Sequence, residues 1–210
     1  VPEEVGGSGG DLIDSTILGE ELHYAGAAGG VFASLFTHGI ALPHLIAAGD
    51  PDQIDRWVRP TLAGEKIGSL AITEPGGGSD VGHLTTKAER DGDHYVVNGS
   101  KTYITSAVRA DFVVVAVRTG GPGAAGVSLL VVEKGTPGLS FGADERKMGW
   151  NAQPTRAVRF DGSRWHTIGA DLERLYDTLD AHDLAAGSAQ APGRRWSAAS
   201  GCTTPKPVKL

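Results

Sequence analysis

Residues 86–105, TKAERDGDHYVVNGSKTYIT, decide the fold class. Apolar and polar residues alternate around two dipeptides, Asp91-Gly92 and Asn98-Gly99, and such pairs favour the positive-φ backbone of two-residue hairpin turns. The stretch therefore predicts a three-stranded meander. Short runs rich in Val, Ile, Thr and Tyr extend this reading outward, with strands expected at 68–73, 112–118, 127–133 and 156–160. Six or seven strands of this kind suggest an antiparallel barrel or sandwich.

Upstream of Lys66 the period is helical. Ile17, Leu18, Leu22 and Ala25 fall on helical spacing, with Asp14 or Ser15 as N-cap and Gly26 as the stop. A second apolar stretch runs from Val31 to Ile46, with a break or kink expected at Pro43. Asp50, Pro51 and Gln53 have the spacing of a helix start, opening a short helix that carries Ile54, Trp57 and Val58 and is expected to end at Pro60 and Gly64. The predicted class is α+β, with a partial helical domain at 1–65, a middle β-domain at 66–162, and a weakly patterned segment at 163–210. The last 23 residues hold four basic residues, three prolines and no acid, and are expected to be disordered.

Composition narrows the function classes. The 210 residues carry a net charge of −6, with an acidic first third (10 acids against 2 arginines in 1–65), which argues against nucleic acid as the main partner. The longest apolar runs, 112–117 and 127–132, are far shorter than the ~20 residues that span a bilayer, so no membrane partner is expected. A single cysteine, Cys202, cannot form an internal disulfide, and no leader pattern is seen at the first residues, so a cytoplasmic protein is expected. None of the seven histidines sits in a ligand-like cluster, and no metal is expected.

The chemistry is concentrated at Thr73-Glu74-Pro75-Gly76-Gly77-Gly78-Ser79-Asp80. Three glycines after a strand let backbone approach a ligand closely, but the loop matches neither the phosphate-binding loop nor the dinucleotide fingerprint. Read alone, it is an ordinary turn in which Glu74 is an exposed strand-end acid and Ser79-Asp80 caps the next segment. Read alone, Tyr103 is a half-buried packing residue of a strand.

The order of motifs adds to this. Pro2-Glu3-Glu4-Val5-Gly6-Gly7, Leu70 through Asp80, Asn98-Gly99-Ser100-Lys101-Thr102-Tyr103-Ile104-Thr105, Lys147-Met148-Gly149 and Val158-Arg159-Phe160-Asp161 follow one another as in the acyl-CoA dehydrogenase family, which the chain resembles over 1–162. The resemblance implies a middle β-domain lying against one side of FAD, and FAD-dependent α,β-dehydrogenation of an acyl-CoA thioester of the fatty-acid β-oxidation type. Cofactor contacts would come from Leu70, Ile72, Thr73, Gly78 and Ser79 in a first segment, and from Tyr103, Ile104 and Thr105 in a second. Ile72 and Thr73 would lie beside the flavin pyrimidine, Ser79 at the acyl-CoA, the Tyr103 ring on the flavin, and Thr105 near the hydride-accepting nitrogen. A tyrosine at 103 departs from the usual tryptophan. The run 126–133 and the Lys147-Met148-Gly149 loop lean toward the long-chain branch.

The family's C-terminal four-helix domain, which supplies the carboxylate base, is missing by this reading, and residues 163–210 would be a degenerate remnant of it followed by the disordered tail. Glu173, or in another register His182, is the nearest base candidate. Three possibilities stand: a shortened dehydrogenase, weak or inactive alone; a non-catalytic subunit that binds flavin or acyl-CoA and pairs with a full-length relative; and a β-barrel from a disrupted gene that binds neither. A homo- or hetero-oligomer, and electron transfer to an electron-transferring flavoprotein if active, are the implied partners.

Overall fold

The computed structural model describes residues 1–92 and 94–166. The tail and the base candidates Glu173 and His182 lie outside these residues. Helices occupy the first 62 residues: α1 (Leu12–Tyr24), α2 (Gly29–Leu35), α3 (His38–Ala48), α4 (Pro51–Gln53) and α5 (Arg59–Leu62), the last two joined by a π-helical turn, Ile54–Val58. Seven strands follow: β1 (Gly68–Ala71), β2 (Lys87–Asp91), β3 (His94–Thr105), β4 (Phe112–Arg118), β5 (Val127–Glu133), β6 (Leu139–Asp144) and β7 (Thr155–His166).

The helix signals act one step away from where the sequence suggests. Asp11, rather than Asp14 or Ser15, caps α1: its carboxylate accepts from the Ile13 and Asp14 amides at 2.7 and 3.1 Å, while Asp14 accepts from the Asp11 amide at 2.9 Å. Such a reciprocal pair satisfies donors that an uncapped helix leaves orphaned. Pro43 sits inside α3 instead of breaking it, and the interruption falls at Phe36–Thr37. Pro60 does not end its helix either. The wider π turn precedes it, and the Arg56 carbonyl, which an amide at position 60 would have bonded, accepts from Lys66 Nζ at 2.8 Å. Asp50 caps as expected, accepting from the Gln53 amide at 2.9 Å.

The strands form one curled, mixed sheet with the order β1-β4-β2-β3-β7-β6 and β5 on the other edge of β4. It is not purely antiparallel, since β1 runs parallel to β4 from Gly68↔Phe112 to Ala71↔Val115. Parallel pairing follows from the long excursion, through the glycine loop and β2–β3, that separates the two strands. The expected meander is a two-stranded hairpin, because β3 continues through Asn98-Gly99 as a bulge. Gly99 has φ +147°, and a Cβ there would lie 2.7 Å from Thr86 Cα. Its lack of a side chain lets the two strands approach rather than turn.

β4 is buried on both faces, which explains its unbroken apolar run. Val113, Val115 and Val117 face the interior of the curled sheet with Leu130, Val132, Tyr95, Val97, Val158 and Phe160. Phe112, Val114 and Ala116 face the helices, packing with Ala41, Leu42, Leu45, Trp57 and Val58. Glu133 at the end of β5 pins the helices to this face, accepting from Trp57 Nε1 at 3.0 Å and from Arg56 at 2.9 and 2.7 Å. The 20-residue segment Gly29–Ala48, which contains a window of mean hydropathy 1.5, is apolar and long enough by composition to cross a bilayer. Here it is two helices, and Ala41, Leu42 and Leu45 spend their apolarity on the sheet. α1 buries none of its residues and leaves Leu12, Ile13, Ile17 and Leu18 exposed.

Candidate functional site

At the end of β1 the chain leaves the sheet as the loop 73–80. A tight turn opens it: the Glu74 amide donates to the Gly77 carbonyl at 2.9 Å, and the Gly77 amide returns to the Glu74 carbonyl at 3.1 Å. The Glu74 side chain points inward and is only 6% exposed, which corrects its reading as an exposed acid. Burying a carboxylate is costly unless its lone pairs are matched, and here they are. Oε1 accepts from Lys101 Nζ and from the Thr86 amide, both at 2.8 Å, and Oε2 from the Thr85 amide at 2.6 Å and Thr85 Oγ1 at 2.8 Å. Lys101, fully buried, also donates to the Ile72 carbonyl at 2.9 Å.

The electrostatics follow from this burial. Desolvation works against the Glu74 charge, but the hydrogen bonds from Lys101, Thr86 and Thr85 outweigh it and bring the carboxyl down to about 2. Burial lowers the Lys101 amine as well, opposed by its bond and attraction to Glu74.

Further bonds stitch the loop to the end of β3. The Thr102 amide donates to the Thr73 carbonyl at 2.8 Å, and Ser69 Oγ to the Thr105 carbonyl at 2.6 Å. Within β3 the ladder to β7 slips between Lys101 and Ile104. Both of these side chains are buried although they are three residues apart, so one residue is extra to the alternation. The slack is taken up by Tyr103, whose backbone is left-handed (φ 58°) and whose side chain is 63% exposed. Ser106, at φ 59°, continues the irregularity. A non-glycine residue in this region costs about 1–2 kcal/mol, and such strain concentrates where a side chain must be aimed.

The nominated residues therefore fall along one seam, with one exception. Ile72, Thr73 and Thr105 are half-buried where β1 meets the end of β3, and Leu70 is half-buried on the helix-facing side. Gly78 and Ser79 are exposed on the loop, and Tyr103 is exposed beside it. Ile104 differs: its side chain lies in the inner core at 2% exposure, leaving only its backbone for a ligand. Asp80 precedes the short turn Val81–His83 without a side-chain capping bond, and contacts His83 Nδ1 at 2.6 Å instead. The sequence reading missed Lys101, Thr85 and Thr86. The signal for Lys101 is its phase, since it shares the inward parity of Tyr95 and Val97 and so demanded a buried counter-charge.

The seam has the features of a ligand surface. A Cβ at Gly76 or Gly77 would meet nothing within 4 Å, so the protein's own packing does not call for glycine there, and the bare loop leaves room for close approach. The hydroxyls of Thr73 and Thr105 bond no other group among the described residues, although both side chains are half-buried. An exposed aromatic, free hydroxyls and a bare glycine loop on one rim suit a flat, polar-edged ring system such as a flavin.

Comparison with known proteins agrees with this arrangement. The acyl-CoA dehydrogenase N-terminal domain model matches residues 1–65 and the middle domain model residues 69–163. Isobutyryl-CoA dehydrogenase, mitochondrial, of Dictyostelium discoideum is 45% identical over 165 residues, covering 78% of this chain and 39% of that protein. The long-chain specific enzyme of Mus musculus is 37% identical over 167 residues, covering 78% and 38%. The leaning toward the long-chain branch is thus corrected: the isobutyryl branch is nearer. A crystal structure of a probable acyl-CoA dehydrogenase from Mycobacterium abscessus superposes with TM-score 0.81 at 53% identity, over 88% of this chain and 50% of that one. An acyl-CoA dehydrogenase from Bacillus anthracis complexed with FAD gives TM-score 0.69 at 31% identity, over 79% and 28%. The chain spans about two fifths of the length of the curated relatives it matches. With consecutive domain models matching in order, and with the glycine loop and the Tyr103 segment joined in space, the chain belongs to the acyl-CoA dehydrogenase family.

Proposed function

We propose that this chain forms the N-terminal and middle part of an FAD-dependent acyl-CoA dehydrogenase site. The observation that carries the reading is the exposed, left-handed Tyr103 next to a glycine loop that packing leaves bare, with the free hydroxyls of Thr73 and Thr105 on the same rim. FAD, when bound, supplies acceptance of a hydride from the β-carbon of an acyl-CoA thioester. Tyr103 offers its ring as a platform that excludes water from one flavin face. Thr73 and Thr105 donate hydrogen bonds to ring acceptors, which favours the electron-rich reduced ring. Ser79, exposed on the loop, would contact the acyl-CoA. Glu74 is unsuited as the α-proton base, because its carboxyl is held at about 2 and its oxygens are already occupied. The base is therefore assigned to no described residue. Electrons would leave to an electron-transferring flavoprotein.

The test is anaerobic addition of acyl-CoA to the FAD-loaded chain, starting with isobutyryl-CoA because of the 45% identity to that branch. Bleaching of the long-wavelength flavin band supports dehydrogenation, and binding without bleaching contradicts catalysis by this chain alone. A second reading, a binding subunit that pairs with a longer relative, is favoured by α1, which leaves Leu12, Ile13, Ile17 and Leu18 exposed. Co-expression with such a relative followed by gel filtration tests it: co-elution supports the pairing and separate elution opposes it.

A further inference from the structure

We propose that Glu74 and Lys101 are a positioning pair whose task is to hold the bulge that projects Tyr103, and so to fix its ring relative to the glycine loop. The inference rests on the flavin reading for its purpose, but its geometry is independent of any ligand.

Lys101 and Ile104 both point inward with exposures of 0% and 2%, three residues apart on a strand whose side chains should alternate. The β3–β7 ladder accommodates this by slipping between Lys101↔Val158 and Ile104↔Arg156. The extra residue falls at 102–103, and it is there that the backbone enters the left-handed region. Ile104 is held inward by the apolar core. Lys101 has no such reason: a lysine stays inside only because Glu74 and the Ile72 carbonyl receive its amine, at 2.8 and 2.9 Å. Without that pair, regular alternation counted back from Ile104 would turn residue 101 outward and remove the need for the bulge. Tyr103 would then relax to an extended backbone, and its ring would leave the rim. The same carboxylate also binds the amides of Thr85 and Thr86. One buried ion pair thus ties together three chain segments, at 72–74, 85–86 and 101–104.

Hydrogen exchange of the 210-residue chain tests this, with the double variant Glu74→Gln/Lys101→Ser as the main reagent because it leaves neither an unpaired charge in the interior nor an apolar side chain at 101 to hold that position inward. The proposal expects amide exchange across 101–106 to rise about tenfold or more, with that across 72–79, while the β4 ladder, Phe112–Arg118, keeps its wild-type protection. The three-bond HN–Hα coupling of Tyr103 should move to an extended-strand value. Thr85→Val, which removes one donor to Glu74 and spares the pair, should leave 101–106 unchanged. Wild-type exchange and coupling at 101–106 in the double variant would overturn the proposal. So would a uniform rise that includes β4, since the pair would then be a general stabiliser. FAD titration of the wild-type chain is scored separately, so failure of the flavin reading leaves the exchange result standing.

Discussion

Replacing Lys101 with methionine keeps the length of the side chain, removes its charge, and leaves Glu74 in the interior with no cation. The carboxylate would be 6% exposed and would keep three donors, the Thr85 amide, Thr85 Oγ1 and the Thr86 amide. Breaking one side of a buried ion pair costs about 3–5 kcal/mol, and the remaining donors place this case near about 3 kcal/mol. For a chain of this size that is a fall in Tm of about 6–12 °C. The pH dependence supplies a sharper signature. In the wild type the folded carboxyl sits at about 2, below its ordinary 4.5, so it stabilises the fold above the ordinary value and the contribution is lost as pH falls through about 2. Without Lys101 the carboxyl loses the strongest of the bonds that hold it down and moves up from about 2 toward its ordinary value. The carboxylate of the variant then contributes less stability above its ordinary value than that of the wild type, and correspondingly less is lost in acid. The gap between wild type and variant should therefore narrow as pH is lowered. Urea unfolding followed by circular dichroism at several pH values measures it. A loss under about 1 kcal/mol at neutral pH, or a gap that widens in acid, would refute the reasoning. Adding Glu74→Gln to the variant removes the orphaned charge and should recover most of the loss.

Three other outcomes are expected. Wild-type stability should fall by about 3 kcal/mol between pH 4.5 and about 2 from Glu74, and Glu74→Gln should flatten that part of a urea-midpoint profile. Gly99→Ala should cost about 2–3 kcal/mol in chemical denaturation, because its Cβ would press within 2.7 Å of Thr86 at φ +147°. Tyr103→Gly should relieve the left-handed strain and raise stability by about 0.5–1 kcal/mol in thermal melts, while weakening FAD binding about tenfold.

The parts of the fold that could be read from sequence are those where one pattern has one physical cause. β4 and β5 match their expected bounds because burial on both faces makes β4 an unbroken apolar run and β5 an apolar run interrupted only by Ser128. β6 was missed although Leu139 and Phe141 alternate with Ser140 and Gly142 and pack on the inner core, since as an edge strand it pairs only with β7, is short and is mostly exposed. Asn98-Gly99 was misread because a hairpin turn and a bulge both favour a glycine with positive φ, and only the proximity of Thr86 separates them. Pro43 was read as a break or kink and Pro60, with Gly64, as a helix end, whereas the helix continues through Pro43 and Pro60 follows a π turn whose spare carbonyl finds Lys66. At the site, Thr73, Tyr103 and Thr105 were reached through motif order rather than through geometry. The ion pair beneath them was legible only from the parity of a lysine in a strand, because its partner lies 27 residues earlier and reads alone as an ordinary turn acid.

The account rests on the glycine loop and the Tyr103 segment forming one flavin surface. Titration of FAD into the purified full chain, followed by visible absorbance and flavin fluorescence, tests this most directly. The account predicts saturable binding near one flavin per chain with a perturbed visible spectrum, weakened about tenfold by Tyr103→Ala. A spectrum identical to free FAD at all concentrations, or binding indifferent to Tyr103, would contradict it.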